Sequence, residues 1–387
     1  MSLLSWKRPP SSAKRVLIFN FFAGVIDRGI PLYTEDIAEC LRRVGWEPVE
    51  LRCPAWLRSA PRPIRNTAFV LFEQAVAPAA RWWHRCVLTI YPYNSVGLVD
   101  AALGRSLLVV HDLISNRRSR PAARYIQATQ RVYRKLGGPI CAASAHTLAQ
   151  LRRLEAFRRC KLALWENPFY SFEAALAKRA RAKPPADAAG GERALRVLLC
   201  SGMGGNKDYG GALKLFVHSH ALRDAQLRIV GFGDDAPLAR RRVDLLPEGA
   251  RRRIVVLPRL RLDELVEEFA ASDLVWVHSQ GEGFGRSVVE GLLSGKPVVA
   301  TDIGAFRRFV RMGVRLYRDG EFDDVVANAL GATSGTKLDS RAYHAPLEAA
   351  VSEVMGEHSR SPGGEATSGE PEVASAPASG TGPGNAE

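Results

Sequence analysis

Short apolar runs alternate with amphipathic, helix-spaced segments along most of this chain, and one stretch without periodicity divides the alternation in two. Runs of this kind, each followed by a segment of helical period, are the pattern of β-α-β units. Parallel strands need crossover helices on the faces of their sheet, so the alternation restricts the chain to an α/β fold on parallel sheets. In the first series Val16-Leu17-Ile18-Phe19 begins a strand, Gly24–Pro31 reads as a loop, Thr34–Val44 as a helix and Glu47–Leu51 as a strand. Thr34 is the expected N-cap of that helix. Acidic residues follow it, Arg42-Arg43 fill the last turn, and Gly45 ends the segment. Further strands are expected at Cys86–Tyr91, Ser106–Val110 and Ile140–Ala143, with helices at Ala122–Leu136 and Thr147–Ala156.

Residues 178–194, KRARAKPPADAAGGERA, mix Pro, Gly, Ala and charges without a period and read as the linker. A second series follows. Strands are expected at Arg196–Cys200, Gln226–Val230, Arg253–Leu257, Leu274–His278 and Pro297–Ala300. Helices are expected at Tyr209–His220, Leu238–Leu246, Leu262–Ala271, Ser287–Ser294 and, last, Leu347–Val354. The expected organisation is a loose tail at 1–14, a first Rossmann-like domain at 15–177, the linker, and a second such domain at 195–340. A C-terminal helix within 341–357 and a disordered tail at 358–387 complete it. Residues 359–387 hold Ser, Gly, Pro, Ala and Glu with no aromatic residue, too little apolar surface to offset ordering entropy. Two doubly wound α/β domains facing across a cleft are the predicted architecture. Such sheets bind ligands at the carboxyl ends of their strands.

Composition narrows the function classes. At 46% apolar and 24% charged residues, the 387-residue chain is neither collagen-like, wholly disordered nor a small disulfide scaffold. No apolar run reaches the roughly 18–20 residues that span a bilayer. Lys7, Arg8, Lys14 and Arg15 precede the apolar run Val16–Ile26, as in a signal peptide, but Asn20 interrupts the run and no small-x-small site follows. A buried first strand accounts for it better. The six cysteines form no C-x-x-C pair and read as buried thiols of a reducing compartment. The net charge of +14 is uneven: residues 1–192 carry 30 Lys+Arg against 14 Asp+Glu, and residues 193–387 carry 24 against 26. A basic half suits nucleic acid, an anionic membrane face or phosphorylated substrates, or reflects a generally Arg-rich composition.

The densest chemistry lies in Ser279–Ala300, SQGEGFGRSVVEGLLSGKPVVA. A strand runs into a Gly-rich loop that opens a helix near Ser287, where free backbone N–H groups suit an anion. Gly281, Gly283 and Gly285 let a ligand approach the backbone closely. Glu282 in the loop and Glu290 in the helix offer carboxylate oxygens that accept from sugar hydroxyls. Ser287-x-x-Glu290 also fits a capping box.

EGFGRSVVEGLLSGKPVVATDIG resembles the signature of family 4 glycosyltransferases, retaining enzymes of the GT-B fold, whose E-x7-E pattern falls on Glu282 and Glu290. Further matches follow in order: His111-Asp112, ASAHT at Ala143–Thr147, ENPF at Glu166–Phe169, Lys207 in SGMGGNK, VGFGD at Val230–Asp234 and Ser272-Asp273. The resemblance covers about residues 15–320 and is most specific at 279–300. It implies a catalytic set of Glu282, His111 and Lys207: Glu282 on the donor sugar, His111 near the reacting carbon, Lys207 on the diphosphate. It implies donor binding by Glu290, on the ribose, and by Gly283, Phe284, Gly285, Arg286, Ser287, Gly29 and Gly202. Thr147 would stand behind this set. Retaining, front-face transfer from a nucleotide sugar is implied, with GDP-mannose as first candidate and UDP-hexoses and dTDP-rhamnose as others. No D-x-D pair occurs in the chain, so neither metal nor cofactor is expected. Three departures stand out. Met203 replaces the arginine that usually precedes the lysine, leaving Arg286 as the expected substitute. Arg28-Gly29-Ile30 replaces a Gly-Gly. Arg308 stands where a glutamate is usual.

Arg117, Arg118, Arg120, Arg124, Arg131, Arg134 and Lys135 interleave with Tyr125, Ile126, Val132, Tyr133 and Leu136, the make-up of a basic amphipathic helix that lies on anionic lipid. Arg81, Trp82, Trp83 and Arg85 form a second candidate contact; a solvated Arg face is the plainer reading of both. The family's amino-terminal domain holds the acceptor, so a glycan or lipid-linked glycan of cell-surface polysaccharide or lipopolysaccharide synthesis is implied. The expected place is the cytoplasm, peripheral on the inner membrane face. Two other readings compete: a non-catalytic scaffold or nucleic-acid binder using the basic half, and a GT-B-fold epimerase or degenerate transferase. No nucleic-acid-binding motif is present, and the first leaves the glycine–glutamate loop without a purpose.

Overall fold

The structure, a computed structural model, describes residues 14–25, 29–113, 121–182, 194–202, 204–318, 320–331 and 337–359. Arg117, Arg118, Arg120, Met203, most of the linker and nearly all of both tails lie outside the described residues.

Two six-stranded sheets carry the fold, and every strand pairing in them is parallel. The first holds β1 (Arg15–Asn20), β2 (Glu47–Arg52), β3 (Thr89–Tyr91), β4 (Ser106–Val110), β5 (Ile140–Ala142) and β6 (Leu162–Leu164), ordered β2-β1-β3-β4-β5-β6. The second holds β7 (Arg196–Cys200), β8 (Gln226–Val230), β9 (Ile254–Val256), β10 (Leu274–Val277), β11 (Val298–Thr301) and β12 (Arg315–Tyr317), ordered β12-β11-β10-β7-β8-β9. Both are doubly wound, as the alternation predicts. Central strands such as SLLVV of β4 and LVWV of β10 are buried along their whole length, because helices cover both faces. The strand order reverses between β1 and β3 and between β7 and β10, which creates a ligand crevice at each carboxyl edge.

Eight helices matter for the site: α1 (Ile30–Arg43), α2 (Pro121–Lys135), α3 (Ala145–Arg153), α4 (Tyr170–Arg181), α5 (Tyr209–His218), α6 (Leu262–Ala271), α7 (Arg286–Leu293) and α8 (Ser340–Ser359). The start of α1 differs from expectation. Pro31 occupies its first turn, where a missing N–H costs nothing, and Gly29 at φ 72° is the N-cap. Thr34 therefore sits inside the helix, its hydroxyl donating to the Ile30 carbonyl at 2.7 Å. Strands β6 and β12 and the helices Arg62–Leu71 and Ala77–Trp83 go beyond the sequence reading.

The chain crosses between its halves twice. Phe169, Phe172 and Ala175, at and within the start of α4, pack into the second core with Phe269, Val275 and Val288. Helix α8, longer than the expected Leu347–Val354, returns to the first half, where Leu347, Val351 and Met355 are buried with Val16, Ile18 and Tyr33. All six cysteines are buried, with no disulfide among them.

Candidate functional site

Lys207 and Glu282 are separated by 75 positions, yet β7 and β10 are neighbours, so the loops leaving them lie side by side. Asn206 ties the loops together. Its carbonyl accepts from the Gln280 N–H at 2.7 Å, and its side-chain amide donates to the Gly281 carbonyl at 2.8 Å. A single 3-10 turn, Gly205–Lys207, then aims Lys207 at Glu282, and the two form an ion pair. Asp208 makes the corner in a left-handed conformation, φ 37°, and caps α5 by accepting from the Gly211 N–H. Gly231, of the VGFGD segment, lies under the same loops; a Cβ there would stand 2.1 Å from the Ser201 carbonyl oxygen. Gly202 lies against the stem of Lys207, whose Cγ stands 3.8 Å from where a Cβ would sit.

The glycine loop after β10 meets the first domain. A Cβ on Gly283 would fall 2.3 Å from the His111 carbonyl oxygen, so only glycine lets the two loops touch. Ser144 donates to the Gly283 carbonyl at 2.6 Å, and Thr147 donates to the His111 carbonyl at 2.8 Å. The His111 N–H is held by the Asn94 side chain at 2.8 Å, and the imidazole stands edge-on to Tyr33 at 4.6 Å. One ring N–H is bonded to the Pro92 backbone, whereas Nε2 is buried without a hydrogen-bond partner. Burial lowers the His111 pKa to about 3. The ring is therefore neutral near pH 7, with Nε2 carrying the lone pair.

Gly285, at φ 92°, is the N-cap of α7, which begins at Arg286, one residue before Ser287. The capping-box alternative is thereby removed: Glu290 lies past the first turn and is 1% exposed. A Cβ on Gly285 would meet the Phe306 ring at 2.2 Å. Phe284 is core, packed on Phe309 at 5.6 Å, so it presents only backbone to the loop. Ser287 sits, half-buried, on the first turn of α7, and Gly29 caps α1 with open space before it.

Two arginines behave differently from expectation. Arg286 turns away from Lys207 toward the first domain. It donates to Asp36 at 3.2 Å, the Pro168 carbonyl at 3.1 Å and Asn167 at 3.3 Å, and lies over the Phe169 ring at 4.4 Å. Its Nε stands 3.8 Å from Glu290. With those acceptors in place it pins the two domains together. Arg308, which replaces the usual glutamate, forms a forked pair with Glu166 of ENPF and packs over Phe309 at 5.0 Å. That pairing accounts for the departure. Asp36, Asn94, Ser144, Asn167 and Asn206 were not singled out by sequence reasoning, because each acts through a contact distant in the chain. Ser144 inside ASAHT, Asn167 inside ENPF and Asn206 inside SGMGGNK were within reach of a motif.

Two cavities flank the centre. One of about 620 Å³ runs between Phe22, Arg62 and Arg65 on the first domain and Gly231, Phe232 and Arg259 on the second. Another of about 400 Å³ is lined by Asp112, His146, Gln150 and Glu282. Glu282 itself lines the second of these, and Gly231, under the Lys207 loop, lines the first. Among the described residues, no three His, Cys, Asp or Glu side chains gather as metal ligands, and no helix is long and apolar enough to cross a membrane. On α2, Arg124, Arg131 and Lys135 are exposed and Arg134 covers Phe157 at 4.8 Å, while Tyr133 is core. Val132, Leu136, Trp82 and Trp83 are exposed.

Comparison with known proteins places this geometry. A D-inositol 3-phosphate glycosyltransferase of Nocardia farcinica is 36% identical over 118 residues, 29% of this chain and 26% of the relative. The chain thus matches about a quarter of the length of that curated relative. Among solved structures, a glycosyltransferase from Rickettsia africae superposes with a TM-score of 0.62 at 14% identity, covering 91% of this chain and 100% of that one. The Anabaena protein HepE, solved with UDP and glucose, gives 0.52 at 17% identity, with 89% and 95% covered. These likenesses show the GT-B fold. Residues 196–332, which contain the whole second sheet, match the family model described as Glycosyl transferases group 1.

Proposed function

We propose that the protein is a retaining glycosyltransferase that moves a hexosyl group from a nucleotide sugar to a glycan or lipid-linked glycan acceptor. One observation carries the reading: adjacent loops at the β7/β10 switch point set an ammonium and a carboxylate together, next to the contact of Gly283 with His111 and on the wall of a cavity of about 400 Å³. In the reaction the bond from the sugar's anomeric carbon to the diphosphate breaks, and a bond to the acceptor oxygen forms on the same face. The acceptor proton passes to the departing phosphate oxygen, and a nucleoside diphosphate leaves. Lys207 neutralises the charge that develops there, with the backbone N–H groups at the start of α7. Glu282, released from Lys207 by the phosphates, accepts from the sugar hydroxyls. His111 Nε2, holding a lone pair, accepts from a further sugar hydroxyl without bringing charge to the site. Glu290 receives the ribose, held in place by Arg286.

GDP-mannose remains the first candidate donor. UDP-sugars stand beside it because HepE, of the same fold, was solved with UDP. The exposed arginines and apolar side chains of α2, with Trp82 and Trp83, support docking on an anionic inner-membrane surface, where lipid-linked acceptors of cell-surface polysaccharide synthesis reside. A thermal-shift panel of GDP, UDP, dTDP and ADP tests the reading. One nucleotide is expected to raise the melting temperature, and Lys207→Ala to abolish the rise. Lys207→Ala is also expected to lower turnover about 100- to 1,000-fold, the usual effect of losing one oxyanion donor. No response to any of the four, or turnover that survives Glu282→Ala, overturns it.

A further inference from the structure

We infer that Arg62 and Arg65 form a recognition site for an anionic group, a phosphate or a carboxylate, carried by the acceptor. The inference rests on the reading of the crevice as a donor–acceptor site and adds the acceptor's chemical class. Both arginines lie in the first turn of the helix Arg62–Leu71, three positions apart and therefore on one face. Both line the 620 Å³ cavity between the domains.

Two other arginines at the seam are matched: Arg286 by Asp36 and Arg308 by Glu166. Arg62 and Arg65 meet no carboxylate among the described residues. Arg65 spends one N–H on the Arg58 carbonyl at 2.8 Å and lines the cavity, whose second-domain wall includes Asp235. Arg259 contributes a third guanidinium to the opposite wall, where it donates to the Val25 carbonyl at 2.9 Å. Guanidinium forks match the oxygen spacing of phosphate and carboxylate, and two of them on one helical turn bind such a group far better than one. The donor's phosphates fall to Lys207, whose loop packs on Gly231 of the cavity's second-domain wall. Lys207 stands at the β7/β10 switch point on the second domain, whereas Arg62 and Arg65 belong to the first, on the side from which an acceptor approaches.

The test uses the full-length protein, UDP and inorganic phosphate. Wild type saturated with UDP is titrated with phosphate by calorimetry, and so is the Arg62→Gln/Arg65→Gln variant. Phosphate is expected to bind wild type alongside UDP and to bind the variant at least tenfold more weakly, while UDP binds both equally within twofold. Arg62→Lys/Arg65→Lys, which keeps the charge without the fork, is expected to fall between. Equal phosphate binding in the Gln variant overturns the inference. So does competition between phosphate and UDP, or a loss of UDP affinity in the variant, either of which assigns these arginines to the donor. If UDP binds neither protein, another nucleotide of the panel takes its place. If none binds, the glycosyltransferase reading fails alone, and phosphate titration of the ligand-free protein still decides whether the two arginines hold an anion.

Discussion

His111 shows how a single side chain takes its chemistry from burial. Its folded pKa is about 3 against 6.5 in an open chain, so between those values the unfolded state binds the proton first. Its contribution to stability is complete above pH 6.5 and is lost as pH falls toward 3. His344, lowered to about 4 by burial, acts in the same direction. Glu73 acts oppositely. Buried in the π-helical turn Phe72–Val76, it accepts from Ser95 at 2.6 Å and from Tyr125, and its pKa rises to about 7. Its contribution is complete below 4.5 and lost as pH rises through 7. Urea unfolding across pH is therefore expected to give a stability slope below 6.5 that His111→Gln flattens, and a slope from 4.5 to 7 that Glu73→Gln flattens. Gly283→Ala is a steric test. A methyl 2.3 Å from the His111 carbonyl must push the loops apart, so turnover is expected to drop at least tenfold, with a loss of about 1–3 kcal/mol in urea unfolding. None of these three positions announced its energetics in the sequence. His111 was found by its place after an apolar run and by resemblance, whereas Glu73 drew no attention, since nothing local distinguishes a buried glutamate from a solvated one.

At the scale of elements, legibility followed length and period. The strands β1, β4, β7 and β10, each built on an apolar run, were evident, and with them the parallel, doubly wound plan. The edge strands β6 and β12 escaped; each is three residues long, pairs on one side only and forms against a neighbour already in place. The start of α1 was misplaced because Thr34 is a good N-cap by type, while Pro31 and Gly29 together make an earlier and better start. Glu282 and Glu290 were legible as a spaced pair. The Lys207–Glu282 contact and the Arg286–Asp36 pin were not, since each depends on which strands or helices become neighbours. Asp36 is fully buried, and burial raises its pKa against the pull of Arg286. Removing the guanidinium leaves that carboxyl without its cation. Arg286→Met is expected to cost about 3–5 kcal/mol, and Asp36→Asn/Arg286→Met to recover part of it, read as a double-mutant cycle in urea.

For the whole molecule, the charge asymmetry read from the sequence has a counterpart in exposed cations and aromatic side chains on the first domain. Flotation with vesicles containing anionic lipid is expected to capture the protein at low salt and release it at high salt. Arg131→Ser/Lys135→Ser is expected to weaken capture, and neutral vesicles to capture little. Binding that ignores both salt and lipid charge removes the membrane proposal. The return of α8 has another consequence. Because Leu347, Val351 and Met355 complete the core beneath β1, the last helix is a structural part of the half that begins the chain. A chimera that grafts a foreign second half onto this first half by one cut near residue 190 would also exchange that helix and leave a hydrophobic trench. Recombination between chains of this fold, by nature or by engineering, therefore has two crossover points to respect, with the native α8 retained beyond the second.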